Sequence, residues 1–162
     1  MKKMKKMKKI FLTITLMFCM VAYSSAQDYN TGIGLRGGWS NGLTVKTFIG
    51  QKAALEFLVA SRWQGFSITG LYEIHTQAFN TDRLNFYYGL GAHVGFWNGD
   101  NVKWADNNDS YIVIGLDGIL GLEYNFRDFP INLSIDWKPA FNLSGYSGFW
   151  GDEGAISIRY IF

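Results

Sequence analysis

Charge, sulfur and proline are all scarce in this chain. Lys, Arg, Asp and Glu make up 17% of the 162 residues, against roughly 25% in an average soluble domain. The single cysteine, Cys19, sits in an amino-terminal apolar run directly after Phe18, where lipid attachment would need a small residue. No thiol follows it, so disulfides and thiolate chemistry are excluded from the remainder. After residue 26 polar residues or glycines interrupt every apolar stretch, and none reaches the roughly 20 residues of a membrane-spanning helix. Two prolines stand against nineteen glycines, a ratio that marks many turns or strands whose side chains must be small.

What is abundant is apolar and aromatic: 48% and 17% of residues respectively. That is too apolar for disorder and too aromatic and charge-poor for an ordinary soluble domain. The first 26 residues form a separate unit. Six lysines crowd Met1 to Lys9, Ile10 to Tyr23 is apolar, and Ser24, Ser25 and Ala26 precede Gln27. This is the plan of a cleavable signal peptide over 1–26, leaving 27–162 as one domain. Without it, nine of the fifteen Lys and Arg remain against all thirteen acids, a net charge of −4. The basic balance belongs to export, and nothing points to nucleic acid.

Alternation of period two dominates the remainder. Across 131–143 the odd positions are Ile131, Leu133, Ile135, Trp137, Pro139, Phe141 and Leu143, and the even ones are Asn132, Ser134, Asp136, Lys138, Ala140 and Asn142. A strand sends these sets to opposite faces. The pattern predicts strands over 29–39, 42–49, 53–61, 66–78, 84–97, 111–126, 131–143 and 154–162. Connections at 50–52, 80–83 and 127–130 are tight, while 98–110 and 146–153 are longer. Short turns at one end and longer loops at the other fit an eight-stranded antiparallel up-and-down transmembrane β-barrel.

An eight-stranded interior is barely wide enough for side chains, and roughly thirty large apolar residues cannot fit there. The apolar faces must look outward. The slimmer faces, with Gly32, Gly34, Gly38, Gly89, Gly91, Gly95, Gly115 and Gly121, must look inward. Aromatics fall where bilayer interfaces should lie: Trp39, Trp63, Trp97, Trp104 and Trp150 toward the long loops, and Phe79, Phe86, Tyr124, Phe126, Tyr160 and Phe162 toward the short turns.

The ending Ser157-Ile158-Arg159-Tyr160-Ile161-Phe162, with Ile158, Tyr160 and Phe162 on one face, resembles the signal read by the outer-membrane barrel assembly machinery. Residues 29–162 resemble the small eight-stranded outer-membrane barrels typified by OmpX and the OmpA transmembrane domain. The resemblance implies a Gram-negative outer-membrane location, contact with lipids and lipopolysaccharide, and a monomer. Unlike full-length OmpA-type proteins, the chain is expected to carry no periplasmic peptidoglycan-binding domain after the last strand.

Alternation places Arg36, Lys46, Glu56, Glu73, Asp117, Glu123, Asp136, Lys138 and Arg159 in the lumen. Buried charges are costly unless paired, so four cations and five acids suggest a salt-bridged plug. A hairpin about Gln51 sets Lys46 against Glu56; one centred on Asn41 would set Arg36 against Lys46. His75 and His93 also face inward and are expected to be neutral and hydrogen-bonded. They lack an HxH, HExxH or Cys partner, so neither metal nor cofactor is expected. The loops present Trp104, Tyr146, Phe149 and Trp150 as surface contacts, beside Asp152 and Glu153. The expected function is a non-enzymatic outer-membrane barrel serving envelope integrity or surface interaction. The alternatives are a lipid A acyl-modifying enzyme, for which Asp109-Ser110 and a histidine are the nearest residues, and a small porin-like pore.

Overall fold

The computed structural model describes residues 29–62, 65–98, 110–145 and 148–162. The proposed signal peptide, Trp63, Trp104, Tyr146 and the Asp109 side of the longest loop lie outside these residues. No helix occurs among the described residues, which form ten strand segments: β1 (Thr31–Gly38), β2 (Asn41–Phe48), β3 (Ala53–Arg62), β4 (Gly65–Gln77), β5 (Leu84–Asn98), β6 (Ser110–Asn125), β7 (Ile131–Trp137), β8 (Ala140–Ser144), β9 (Gly148–Trp150) and β10 (Gly154–Ile161). Every neighbouring pair is antiparallel. The order runs from β5 through β4, β3, β2, β1, β10, β7 and β6, and β6 pairs again with β5. The sheet therefore closes into an eight-stave barrel.

Two staves are built in two pieces. Pro139 offers no N–H to a ladder, so β7 and β8 are separate, with Lys138 and Pro139 between them. Gly118 N still donates to Pro139 O at 2.8 Å, and Lys138 N to Glu153 O at 2.8 Å. The last stave is interrupted at the same level: β9 pairs with β8, residues 151–153 leave the ladder, and β10 resumes against β7. Part of the expected 146–153 loop is thus barrel wall.

The faces divide as alternation requires. Among the described residues thirty large hydrophobic side chains are exposed, from Ile33 on β1 to Phe162, and most of them stand on the outer face of the strands. The interior is charged or slim, with one small apolar cluster of Leu58, Leu71, Tyr87 and Ile119. Gly34 shows why slimness matters. A Cβ there would fall 1.9 Å from Ile158 O, inside the β1–β10 seam. That seam shuts the barrel, with Thr31 and Phe162 exchanging backbone hydrogen bonds of 3.0 and 2.9 Å.

One register differs from expectation. Leu35 faces Leu43 and Arg36 faces Gly42, so the β1–β2 hairpin is centred on Trp39 and Lys46 lies opposite Gly32. The Asn41 side chain helps fix this turn by accepting from Gly38 N at 3.3 Å. Arg36 and Lys46 therefore do not meet. The β2–β3 hairpin does place Lys46 directly opposite Glu56.

Candidate functional site: the charged lumen and its cover

All nine inward charges named above are buried. They form two layers with one pair, Arg36 and Asp136, between them. The deeper layer, toward the short turns, draws its charges from five strands. Arg159 on β10 reaches across to Glu56 on β3 and also donates to Thr44 Oγ1 (3.0 Å), Asn132 Oδ1 (3.0 Å) and Ser134 Oγ (2.8 Å). Lys46 Nζ lies 2.8 Å from Glu73, 3.5 Å from Glu56 and 3.5 Å from Glu123, and 3.9 Å over the Tyr87 ring. Tyr29 OH closes the lower side by donating to Glu123 at 3.3 Å. Each charge here has opposite charges within reach, the arrangement that offsets desolvation.

His75 lies between two of these acids, with Nε2 3.1 Å from Glu73 and Nδ1 3.2 Å from Glu123. A neutral imidazole has one N–H and can serve one carboxylate, and the hydrogen bond formed here is the one between Nε2 and Glu73. Its ring also stacks on Tyr87 at 5.1 Å. In the middle of the barrel Arg36 grips Asp136 through two bonds of 2.6 and 2.7 Å, and Tyr87 OH donates to the same carboxylate at 3.0 Å. The fork-on-carboxylate geometry is the strong form of this contact.

The upper layer lies toward the long loops. Asp117 on β6 accepts from Lys138 Nζ at 2.8 Å and lies 2.7 Å from His93 Nδ1. Lys138 also pairs with Glu153 at 3.1 Å, and Ser40 Oγ donates to Glu153 at 2.6 Å. His93 Nε2 is buried with no hydrogen-bond partner.

Above this layer the side chains of residues 150, 152 and 153 reach across the mouth. Arg62, at the end of β3, holds Asp152 through bonds of 2.7 and 3.3 Å. That guanidinium keeps the Asp152 carboxyl below its ordinary value. Trp150 turns inward, edge-on to Trp97 at 5.5 Å, with the Arg62 guanidinium 5.7 Å from its ring. Trp97 Nε1 donates to Arg62 O at 3.1 Å, and on the outer side Trp137 Nε1 donates to Gly151 O at 2.7 Å. Residues 150–153 thus touch β3, β5, β7 and the β1–β2 turn.

This corrects three sequence expectations. Trp150 is a packing residue under the cover rather than a surface contact, because β9 continues the alternation and even positions face in. Trp97 is 4% exposed and belongs to the lumen, not to an interfacial belt. Glu153 is buried against Lys138 and Ser40 rather than displayed. Phe149, on the opposite face of β9, is 65% exposed, and Ile158, Tyr160 and Phe162 are exposed on the outer wall. Sequence reasoning missed Tyr87 and Arg62. Tyr87 has the same parity as Gly89 and Gly91 on β5, so the alternation carried that signal; for Arg62 no local signal exists, since its partner is ninety residues away.

Among the described residues no cluster of His, Cys, Asp and Glu has metal-holding geometry. No family model, curated protein or solved structure matches this chain. The reading below therefore rests on the residues themselves.

Proposed function

We propose that this chain is a non-enzymatic integral barrel of the Gram-negative outer membrane, with a plugged lumen, serving envelope integrity or surface interaction. One observation carries the reading: exposed large hydrophobic side chains clothe the outer faces of the strands of a barrel whose inside is ionic. A soluble carrier inverts that polarity, and water would penalise so wide an apolar surface. Closure leaves no open strand edge, as hydrocarbon requires. The alternation and the Ile158–Tyr160–Phe162 ending favour the OmpX and OmpA-transmembrane type, delivered by the barrel assembly machinery and surrounded by lipids and lipopolysaccharide. Lys46, Glu56 and Arg159, each 0% exposed, fill the cross-section that a pore would need.

The His93–Asp117 pair, 2.7 Å apart, is the one observation favouring an acyl-modifying enzyme. A deletion strain assayed together for lipid A mass and detergent sensitivity separates the readings. Unchanged lipid A with raised detergent sensitivity is the expected result; altered acylation supports the enzyme. Stepwise ion conductance from the protein refolded into a planar bilayer would overturn the plugged-barrel reading.

A further inference from the structure

Each of the three short turns carries an exposed large apolar side chain and a cation. Between β2 and β3 these are Ile49, 57% exposed, and Lys52. Between β4 and β5 they are Phe79, 84% exposed, and Arg83; between β6 and β7 they are Phe129, 63% exposed, and Arg127. Phe79 stands in left-handed backbone (φ 52°), uncommon for a residue other than glycine, so this turn accepts strain and still leaves its ring in the open. Arg83, also left-handed (φ 66°), donates from Nη1 to Phe126 O at 3.3 Å. That bond ties the β4–β5 turn to the β6–β7 turn and sets the guanidinium against the residue before Arg127. The two arginines border one recess of about 380 Å³, with Phe126, Phe129 and Phe162 exposed around it and Asp128 as the acid among its described lining residues. Neither guanidinium forms an ion pair with Asp128 or with any other carboxylate among the described residues.

We propose that this recess binds the phosphate of one anionic glycerophospholipid, with the turn tips seated in the headgroup layer around it. Two guanidiniums without carboxylate partners suit phosphate oxygens, which arginine meets through its planar fork. A free phosphate ion would leave Phe126, Phe129 and Phe162 in water. A lipid covers them with its glycerol and upper acyl carbons, the setting that interfacial aromatics favour. Ile49 and Phe79 then lie in the same interface instead of standing as bare apolar tips. An anionic headgroup is preferred to a zwitterionic one, because a choline brings its own cation against Arg83 and Arg127. Lys52 stands on another turn, outside the recess, and adds only to the general attraction toward an anionic surface. The inference rests on the membrane-spanning reading and names the lipid class met at the short-turn end.

The test uses the mature barrel in zwitterionic micelles doped with equal amounts of phosphatidylglycerol and phosphatidylcholine, and native mass spectrometry counts the lipid that stays bound. Phosphatidylglycerol should be retained over phosphatidylcholine by about fivefold or more, the attraction expected of even one basic side chain near an anionic headgroup. Arg83→Gln combined with Arg127→Gln should bring the ratio below about twofold, with unchanged heat-modifiable mobility as the check on folding. Arg127→Gln alone changes an exposed side chain without an ion pair, and it should already lower the ratio by about twofold or more. Lys52→Gln should leave the ratio within about twofold of wild type. Excess inorganic phosphate should not displace the lipid. Equal retention of the two lipids, a preference that survives the double variant, an equal loss in Lys52→Gln, or displacement by inorganic phosphate overturns the site. Insertion into phosphatidylcholine vesicles is measured in parallel by the same mobility shift. A barrel that enters no vesicle refutes the membrane reading; one that inserts without a lipid preference refutes this inference alone.

Discussion

Replacing Arg159 with methionine should be the most damaging single change in the lumen. The side chain is fully buried, pairs with Glu56, and donates to Thr44, Asn132 and Ser134 at 2.8–3.0 Å. Removing it leaves Glu56 with the Thr44 hydroxyl and with Lys46 at 3.5 Å. Breaking one side of a buried pair costs about 3–5 kcal/mol. Glu56→Gln in the same molecule removes the stranded charge, and Lys46 keeps Glu73 at 2.8 Å and Glu123 at 3.5 Å. What remains lost is a donor to Thr44, Asn132 and Ser134, about 1–2 kcal/mol. The double variant should therefore be more stable than Arg159→Met alone by about 2 kcal/mol, a coupling that a double-mutant cycle isolates. Urea unfolding of the barrel refolded in vesicles, followed by fluorescence and heat-modifiable mobility, measures it. A single-variant loss under about 1 kcal/mol, or a double variant no better than the single, would refute the paired-plug argument.

Gly34→Val should prevent closure, because its Cβ falls 1.9 Å from Ile158 O; the protein would then run as an unfolded band whether or not it is boiled. Ile158→Arg, on the exposed wall, should cost about 2–4 kcal/mol in a bilayer, and a loss within error of wild type would place that face out of lipid. The cover should be acid-sensitive in a defined direction. Asp152 is held below its ordinary 3.8 by Arg62, so its contribution is present above that value and fades as pH falls below it. A change in tryptophan fluorescence below pH 3.8, absent in Asp152→Asn and weakened by salt, is the expected signature.

The eight staves and their two faces were legible because one rule repeats locally. On β6, for example, Ile112, Ile114 and Leu116 point out while Val113, Gly115 and Asp117 point in. The Lys46–Glu56 pairing was legible too, since a tight turn about Gln51 transmits register directly. The β1–β2 turn was not. Gly37-Gly38-Trp39-Ser40-Asn41 admits several centres, and the Asn41 bond to Gly38 N selects one of them. A slip of the centre by two residues keeps every side chain on its face while changing every partner. That is why faces were read correctly and Arg36 was given the wrong neighbour.

The break in the last two staves follows a different logic. Pro139 satisfied the outward alternation, so pattern alone carried the strand straight through it, and only the missing N–H betrays the interruption. The cover that results depends on pairs distant in sequence: Arg62 with Asp152, Ser40 with Glu153, and Trp97 with Trp150. Such pairs follow from closure of the barrel, which local periodicity does not encode.

The two layers of the lumen differ in what their acids are attached to. In the deep layer Glu56, Glu73 and Glu123 stand on β3, β4 and β6, each locked in the ladder on both sides. None can leave without unzipping a stave, so their pairing with Lys46 and Arg159 can only hold the barrel shut. In the upper layer Asp152 and Glu153 stand on a stretch flanked by glycines and outside the ladder. Asp152 keeps one partly exposed ion pair with Arg62, worth about 0–1 kcal/mol at the surface. Glu153 is tied more firmly, by Lys138 and Ser40 and by the bond from Lys138 N to its own carbonyl. Asp117, the third acid of this layer, stands on β6 within the ladder. The deep plug is thus locked throughout, and Asp152 is the acid that can be removed from the network at least cost.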